Sequence, residues 1–381
     1  MSHRNIAVNI NIELIYFYNF SYEFGNLALC LLDAAWVKDV VPHVYILFYG
    51  LISIFYSSVH MTLEPLLQAR KTSLEVGSVE GILLSMSYYC QNAFLSGYPL
   101  TKLLSVIEEH KAASQSTDSV VFLCVNQAIL NLVDTETTDP AILNGNLFNC
   151  TYCGDENNKE SAIAQVSVIC FLIAYLFHDY SLAMKLAAKC KELEKFLLCT
   201  FSHPIYIFYD GLVSLALARH HDKEQGIANA SKIISQLKSM SQNAPMNFMN
   251  KVQLLEAELA SICGDPSALE RYKEAISSSQ KNGFIHEEAI CCERTGMFLL
   301  ELDITDTQNA YQFLLQAYKC YERWGAATKC AQLRTKYPSL LEETNTPMSQ
   351  DFEGLVLDNE QATVSLMTDI TMAKPGDKKR R

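Results

Sequence analysis

The sequence lacks the motifs with which proteins usually bind nucleotides or carry out catalysis. Its 381 residues contain no Gly-x-x-x-x-Gly-Lys-Ser/Thr loop, which excludes a phosphate site of the P-loop type. They also contain no Gly-x-Ser-x-Gly, no His-Glu-x-x-His and no protein-kinase motif set. The run beginning at Asp351 resembles Asp-Phe-Gly only across an inserted glutamate. We therefore expect no catalytic and no cofactor-binding residues, and we predict that this chain is not an enzyme.

Positive charge is also scarce. The chain has 30 Lys and Arg residues against 42 Asp and Glu, a net charge of −12, which disfavours nucleic acid as a partner. The N-terminus has no basic stretch followed by an apolar run and a small-residue cleavage site, so we expect a cytoplasmic protein. The basic cluster Lys378 to Arg381 indicates a solubilising tail, with nuclear import as the alternative.

The cysteines do not form a paired framework. There are 13 of them, an odd number, scattered mostly through apolar stretches, which favours buried free thiols in a reducing compartment. Cys150 and Cys153 form one Cys-x-x-Cys pair. A structural zinc site needs four ligands, generally from two such pairs. We interpret the pair as a chance occurrence in a loop and expect no metal.

What the sequence does contain is helical periodicity in recurring units. From residue 246 to residue 341, apolar or small residues recur at helical spacing, interrupted by Gly-Asp-Pro, Asn-Gly and Asp-Ile-Thr-Asp. Lys251 and Glu287 begin equivalent first helices, and Ser267 and Thr307 begin the second helices of the same units. Helical hairpins that recur every ~34–45 residues are typical of a solenoid. We predict an all-α protein, an α-solenoid of tetratricopeptide-like helical hairpins.

Several segments of this region carry a resemblance to a known family. They are Leu254 to Glu258, Tyr272 to Ile276, Asn282 to Ala289, Tyr321 to Ala326 and Leu333 to Leu341. Together they resemble the tetratricopeptide-like region of large fused signalling proteins, in which a serine/threonine-kinase-like domain and an AAA/STAND-type ATPase precede it and a GAF sensor histidine kinase follows. With weaker matches upstream, the similarity covers residues 40–341. It implies a helical region that couples or scaffolds signalling domains, whereas the family's catalytic residues have no counterpart here.

The pattern predicts four parts of the chain. Residues 1–133 form helical hairpins, 134–160 an irregular loop, 161–341 tetratricopeptide-like repeats, and 342–381 a disordered acidic tail with a basic end. Residues 1–25 are too apolar for the solvated cap that a terminal repeat normally carries. We therefore expect a truncated start.

Residues 40–59 have two interpretations. Apart from His43 they hold no charged side chain, and they are long enough to cross a bilayer. However, Gly50 to Ile54 echoes Gly211 to Leu215, which leads into a polar end. We prefer one continuous, fully buried repeat helix from Pro42 to His60, with a membrane span as the alternative.

The polar motifs receive structural interpretations. His286-Glu287-Glu288 fits the first turn of a helix, where carboxylates favour the helix dipole. Glu293-Arg294 predicts a polar edge, and Arg323-Trp324 predicts a polar edge followed by a packing aromatic.

Three hypotheses for function follow. The first is a non-catalytic interaction and regulatory module that binds a protein or peptide partner on its curved surface. The second is a fragment of a multidomain kinase/ATPase sensor histidine kinase without an independent role. The third is a membrane-associated helical protein.

Overall fold

The computed structural model describes residues 20–32, 38–113, 119–145, 147–149, 159–219, 222–302 and 307–338. These residues are helical or irregular. An isolated antiparallel β-bridge joins Asn144 and Asn149 in a loop. The predicted all-α class is confirmed. Three predictions concern residues outside the described ranges. They are the disordered tail 342–381, the loop pair Cys150 and Cys153, and a solvated helix end at His220-His221.

The helices are numbered in chain order. In the described residues they are α1 (20–32), α2 (Val41–Leu47), α3 (Leu63–Val76), α4 (Val79–Leu95), α5 (Leu100–Ala113), α6 (Val120–Val133), α7 (Glu160–Leu176), α8 (Tyr180–Glu192), α9 (Ser202–Ala218), α10 (Lys223–Ser241), α11 (Pro245–Cys263), α12 (Ala268–Lys281), α13 (Ile285–Glu301), α14 (Thr307–Trp324) and α15 (Ala327–Lys336). The account below concerns the compact unit that ends at Thr335.

Short polar residues fix many of the helix ends. The side chains of Ser78, Ser119, Asp179 and Asp222 accept hydrogen bonds from backbone N–H groups three residues on, at 2.9–3.2 Å, and so cap α4, α6, α8 and α10. Gly264 ends α11 in the left-handed conformation that suits glycine. These local signals explain why the sequence predicts most boundaries closely.

Two kinds of helix alternate from α7 onward. The inner helices α7, α9, α11 and α13 are buried on nearly every side; in α13 each residue from His286 to Gly296 is buried. The outer helices α8, α10, α12 and α14 bury one face and expose the other. A helix buried all round belongs in a core, and an amphipathic one covers it. Each inner helix packs with the following outer helix as a hairpin, which confirms the predicted solenoid.

The array also closes on itself. Thr328 Oγ1 donates to the Asp134 carbonyl (2.9 Å), Lys329 Nζ to the Leu176 carbonyl (2.7 Å) and Gln332 Nε2 to the Phe177 carbonyl (3.0 Å). The ends of α6 and α7 therefore lie against α15. The inner faces that an open array would leave to solvent are covered by the same chain.

The prediction of one continuous helix from Pro42 to His60 was wrong. Helix α2 ends at Leu47 and is followed by a π-helical turn (Phe48–Ile52) and two 3₁₀ turns, Ser53–Phe55 and Val59–Thr62. The carbonyls of Ile54 and Ser57 accept hydrogen bonds from the Asn247 side chain at 2.7 and 2.8 Å. The predicted full burial was wrong as well, because Leu47 is 55% exposed, although Ile54 and Val59 are fully buried.

Three further differences concern the first half of the array. Among the described helices, none is long and apolar enough to cross a membrane. The sequence predicts a helix from Tyr180 to Cys199, but α8 ends at Glu192 and a 3₁₀ turn (Glu194–Phe196) follows. The sequence predicts a first helix that begins at Asn26, but α1 already includes residues 20–25. It carries an exposed apolar stripe of Phe20, Phe24, Leu27 and Leu31.

Candidate functional site

Buried ion pairs join successive inner helices. Lys251 Nζ lies 2.8 Å from Glu287 Oε2, Arg294 binds Glu258 at 2.6 and 2.8 Å, and Lys329 Nζ lies 3.0 Å from Glu293 Oε1. In each pair the partners are 36 residues apart, one repeat along the array. We call this set the charge ladder: Lys251, Glu258, Glu287, Glu293, Arg294 and Lys329.

Glu258 has the most partners in the charge ladder. Besides the two-point contact with Arg294, its Oε2 accepts from Arg219 (3.0 Å) and its Oε1 accepts from the Tyr272 hydroxyl (2.8 Å). Burial alone raises the pKa of the Glu258 carboxyl, but the guanidinium groups of Arg294 and Arg219 outweigh it and lower that pKa to about 2. The carboxylate is therefore held ionised.

Glu293 is held in a similar way. Its Oε1 lies 3.0 Å from Lys329 Nζ and 3.2 Å from His178 Nε2, and its Oε2 accepts from the Tyr321 hydroxyl at 2.8 Å. Burial raises the pKa of this carboxyl, and the charges of Lys329 and His178 reverse the shift and lower it. This cluster joins α13, α14 and α15 to the end of α7.

The Lys251–Glu287 pair is electrostatically different. Asn250 Nδ2 donates to the same Glu287 Oε2 at 2.5 Å, and Lys251 Nζ lies 4.0 Å from the centre of the Phe284 ring. Both charged groups are fully enclosed, so burial lowers the pKa of Lys251 and raises that of Glu287 despite their mutual attraction. In this pair the attraction between the charges does not outweigh burial, whereas in the Glu258 cluster it does.

Two interpretations of polar motifs change as a result. Glu287 and Glu288 do lie in the first turn of α13, as predicted, but they are buried and ion-paired, Glu288 with Arg323 at 2.8 Å. The prediction of a polar edge at Glu293 and Arg294 was wrong, because both residues are buried within the charge ladder.

Trp324 confirms the predicted packing aromatic. It is fully buried, with its ring 6.0 Å from that of Phe94 and 5.2 Å from that of His286. It therefore joins α14 to α4 and α13.

Sequence reasoning missed Asn247 and Lys329 as buried polar anchors. It did place Lys251 and Glu287 at equivalent repeat positions, without pairing them. The charge ladder could have been predicted from opposite charges that lie one repeat length apart inside apolar stretches. Glu258 and Arg294 also have this spacing.

A second cluster combines buried polar groups that have no hydrogen-bond partner within the described residues. It includes Nε2 of His60, both ring nitrogens of His286, Oε1 of Glu287, Oδ1 of Asn250 and Nε1 of Trp324. The His60 ring packs against Phe284 at 5.4 Å. Such atoms typically cost about 1–3 kcal/mol each when they stay unpaired. The described residues contain no group of three or more His, Cys, Asp or Glu side chains that could hold a metal ion.

A cleft of about 620 Å³ opens between α8 and α10, with α9 as its floor. Helix α8 packs less closely on α9 than α10 does on α11. Asn229 Nδ2 donates to Asp210 Oδ2 (3.2 Å) and to Ser214 Oγ (2.7 Å) across the cleft. Apolar and small side chains line much of the rest, together with Lys191, Asp222 and Gln225; the apolar and small ones include Met184, Ala187, Ala188, Val213 and Leu217.

Comparison with other proteins adds no family to this geometry. No protein-family model, no curated protein and no solved structure matches the chain. The resemblance to kinase–ATPase fusion proteins thus stays a prediction. The function has to be argued from the residues of this chain.

Acidification is expected to destabilise the fold from pH 6.5 downward through His60. Burial, together with the charge of Lys251, lowers the pKa of His60 from 6.5 to about 4. A hydrogen bond with the Asn282 backbone opposes this shift. Below pH 6.5 the His60 side chain is protonated in the unfolded chain but stays neutral in the folded protein. The free energy of unfolding therefore falls until pH approaches 4. Denaturant unfolding at pH 7 and pH 5, wild type against His60→Asn, measures this contribution.

The control for this pH dependence is His43→Asn, because His43 is exposed. We expect His43→Asn to keep the full wild-type pH dependence and His60→Asn to reduce it. Equal pH dependence in wild type and His60→Asn contradicts the prediction.

A double-mutant cycle tests the Lys251–Glu287 pair. Lys251→Met is expected to lower the free energy of unfolding by about 1–3 kcal/mol, because the carboxyl left behind can take up a proton. Lys251→Met/Glu287→Met is expected to recover most of that loss, because burying a pair of charges costs free energy that two apolar side chains avoid. Denaturant unfolding of the four proteins checks this. A double variant less stable than Lys251→Met contradicts it.

Proposed function

We propose that the protein is a non-catalytic helical-repeat interaction and regulatory module, which binds a protein partner and holds it in a fixed geometry. The observation that carries this proposal is the charge ladder. Its buried charges are paired between repeats at one repeat spacing, so they stiffen the array. A stiffened array is suited to presenting a surface.

The partner surface that we propose is the cleft between α8 and α10. The inner faces of the array are covered by the chain itself, whereas the cleft exposes part of α9 between two outer helices. It combines apolar walls with the polar group of Asp210, Ser214 and Asn229. Concave surfaces with few well-placed polar groups are typical of recognition sites.

A second surface supports an interaction module. The stripe of Phe20, Phe24, Leu27 and Leu31 on α1 is more than half exposed at each position. Contiguous exposed apolar patches mark interaction sites in soluble proteins. The resemblance to signalling fusions is the reason for proposing a signalling protein as the partner.

The test is native capture of partners with the purified, tagged chain, compared across two matched variants. Ala188→Arg places a long cation in the cleft, where the Ala188 side chain is exposed. Ala112→Arg makes the same substitution at an exposed position of α5, outside the cleft. We expect a defined partner to bind wild type and Ala112→Arg and to lose at least about tenfold in affinity for Ala188→Arg.

Two outcomes contradict the proposal. One is a partner that binds all three proteins equally, which places recognition away from the cleft. The other is nucleotide hydrolysis or phosphotransfer that follows the protein through purification, since an enzyme would then be the better description.

A further inference from the structure

The segment Ser53–Thr62 is an irregular element inside a helical array. Its two 3₁₀ turns, Ser53–Phe55 and Val59–Thr62, are separated by three residues, the last of which, Ser58, has an extended ψ of 133°. We call Ser53–Thr62 the latch segment.

The side chain of Asn247 holds the backbone of the latch segment at three points. Its Nδ2 donates to the carbonyls of Ile54 (2.7 Å) and Ser57 (2.8 Å), and its Oδ1 accepts from the Val59 amide (3.0 Å). The partners lie 188 to 193 residues apart in the chain. One amide side chain thus holds the backbone of a distant, irregular segment at three points.

Apolar contacts complete this docking. Ile54 and Val59 are fully buried, and the ring of Phe55 lies 6.2 Å from that of Phe248 on α11. His60 lies against Phe284 and against Gly283, which adopts the left-handed conformation at φ +79°. The latch segment therefore occupies a surface built by α11 and by the turn before α13.

Buried polar groups without a hydrogen-bond partner within the described residues occur on the latch segment and close in sequence to the residues that contact it. They are Ser53 Oγ and His60 Nε2 on the segment, Asn250 Oδ1 three residues after Asn247, and Glu287 Oε1 three residues after Phe284. Native interfaces usually pair such buried groups. A different occupant that supplies donors to Asn250 and Glu287 has a thermodynamic advantage over the latch segment.

We propose that the latch segment is a displaceable internal ligand, and that a partner's irregular segment binds the α11–α13 surface in its place. The partner segment carries two apolar side chains matched to the sites of Ile54 and Val59. It also carries an amide or cationic side chain that donates to Glu287. This inference rests on the proposed function of binding proteins and adds a second, regulated surface to the cleft.

Amide hydrogen exchange on the wild-type protein tests the latch without any variant. A displaceable segment opens by itself, so the Val59 amide is expected to be at least about 100-fold less protected than the amides of Leu254 and Leu255 in α11. Equal protection means that the segment opens only when the whole array unfolds, and it overturns the proposal. This outcome is independent of partner capture, so the cleft proposal can survive it.

Binding of a peptide with the sequence of residues 50–64 tests the surface itself. Val59→Asp is expected to release the latch segment and to let the peptide bind at least about tenfold more tightly than to wild type. Met61→Asp is the control, because Met61 lies in the same segment but is exposed; we expect it to behave as wild type. Adding Asn247→Ala to Val59→Asp is expected to abolish binding.

Three results of this experiment overturn the proposal. The first is equal peptide binding by wild type and Val59→Asp. The second is no binding by Val59→Asp. The third is loss of helix content and of cooperative unfolding in Val59→Asp, measured by circular dichroism, because the segment would then be an obligatory part of the core.

Discussion

Replacing Glu258 by alanine is expected to lower the free energy of unfolding by about 3–5 kcal/mol, the range found when one partner of a buried ion pair is removed. The substitution leaves the guanidinium groups of Arg294 and Arg219 without their shared carboxylate, and the Tyr272 hydroxyl without its acceptor. An arginine cannot relieve this by losing a proton, because its pKa is too high. Chemical denaturation followed by circular dichroism measures the effect.

The matched control for Glu258→Ala is Glu256→Ala on the same helix. Glu256 is partly exposed and pairs with Lys238 at 2.5 Å near the surface, so its loss is expected to cost less than about 1 kcal/mol. A cost for Glu258→Ala no larger than that of the control contradicts the prediction.

The pH dependence of Glu258 gives an independent check. Its pKa in the folded protein is about 2, below its ordinary value of 4.5. The contribution of the carboxylate is therefore fully present above pH 4.5 and is lost as pH falls toward 2. The stability difference between wild type and Glu258→Ala is expected to shrink over that window.

Most helix boundaries follow from local signals that the sequence displays. The sequence predicts a helix from Leu100 to Ala113 and a helix that begins at Thr307, and α5 and α14 have these bounds. Such boundaries can be predicted because caps, glycines and apolar spacing act over a few residues. Local periodicity cannot report the irregular backbone that follows Phe55. There the Ser57 carbonyl accepts a hydrogen bond from Asn247, which lies 190 residues away in the chain.

The candidate site was harder to predict for the same physical reason. Adjacent charges such as Glu293 and Arg294 are typical of solvent-exposed helix faces. Their burial depends on partners one repeat away, Lys329 and Glu258, and on the closure of the array over them. Repeat spacing was visible in the sequence, but closure is set by contacts between helix ends far apart in the chain.

Replacing Trp324 by alanine is expected to have an effect of similar size, about 3–5 kcal/mol, as for large buried aromatic residues in general. The ring fills the space between α14, α13 and the end of α4, and an alanine cannot fill it. The surrounding groups belong to different parts of the array, Phe94 to the N-terminal hairpins and His286 to the repeats, so they cannot collapse as a unit. Denaturant unfolding of wild type and variant measures the loss.

Two further variants separate packing at Trp324 from a general effect on α14. Trp324→Phe keeps an aromatic ring and is expected to recover at least about half of the loss, because a smaller cavity costs less. Glu322→Ala changes an exposed residue of the same helix and is expected to stay within about 0.5 kcal/mol of wild type. Suppose instead that Trp324→Ala costs no more than Glu322→Ala. The contact between Phe94 and Trp324 then contributes little to closure, and the N-terminal hairpins are held to the repeats by the hydrogen bonds of Asn247 and Thr328.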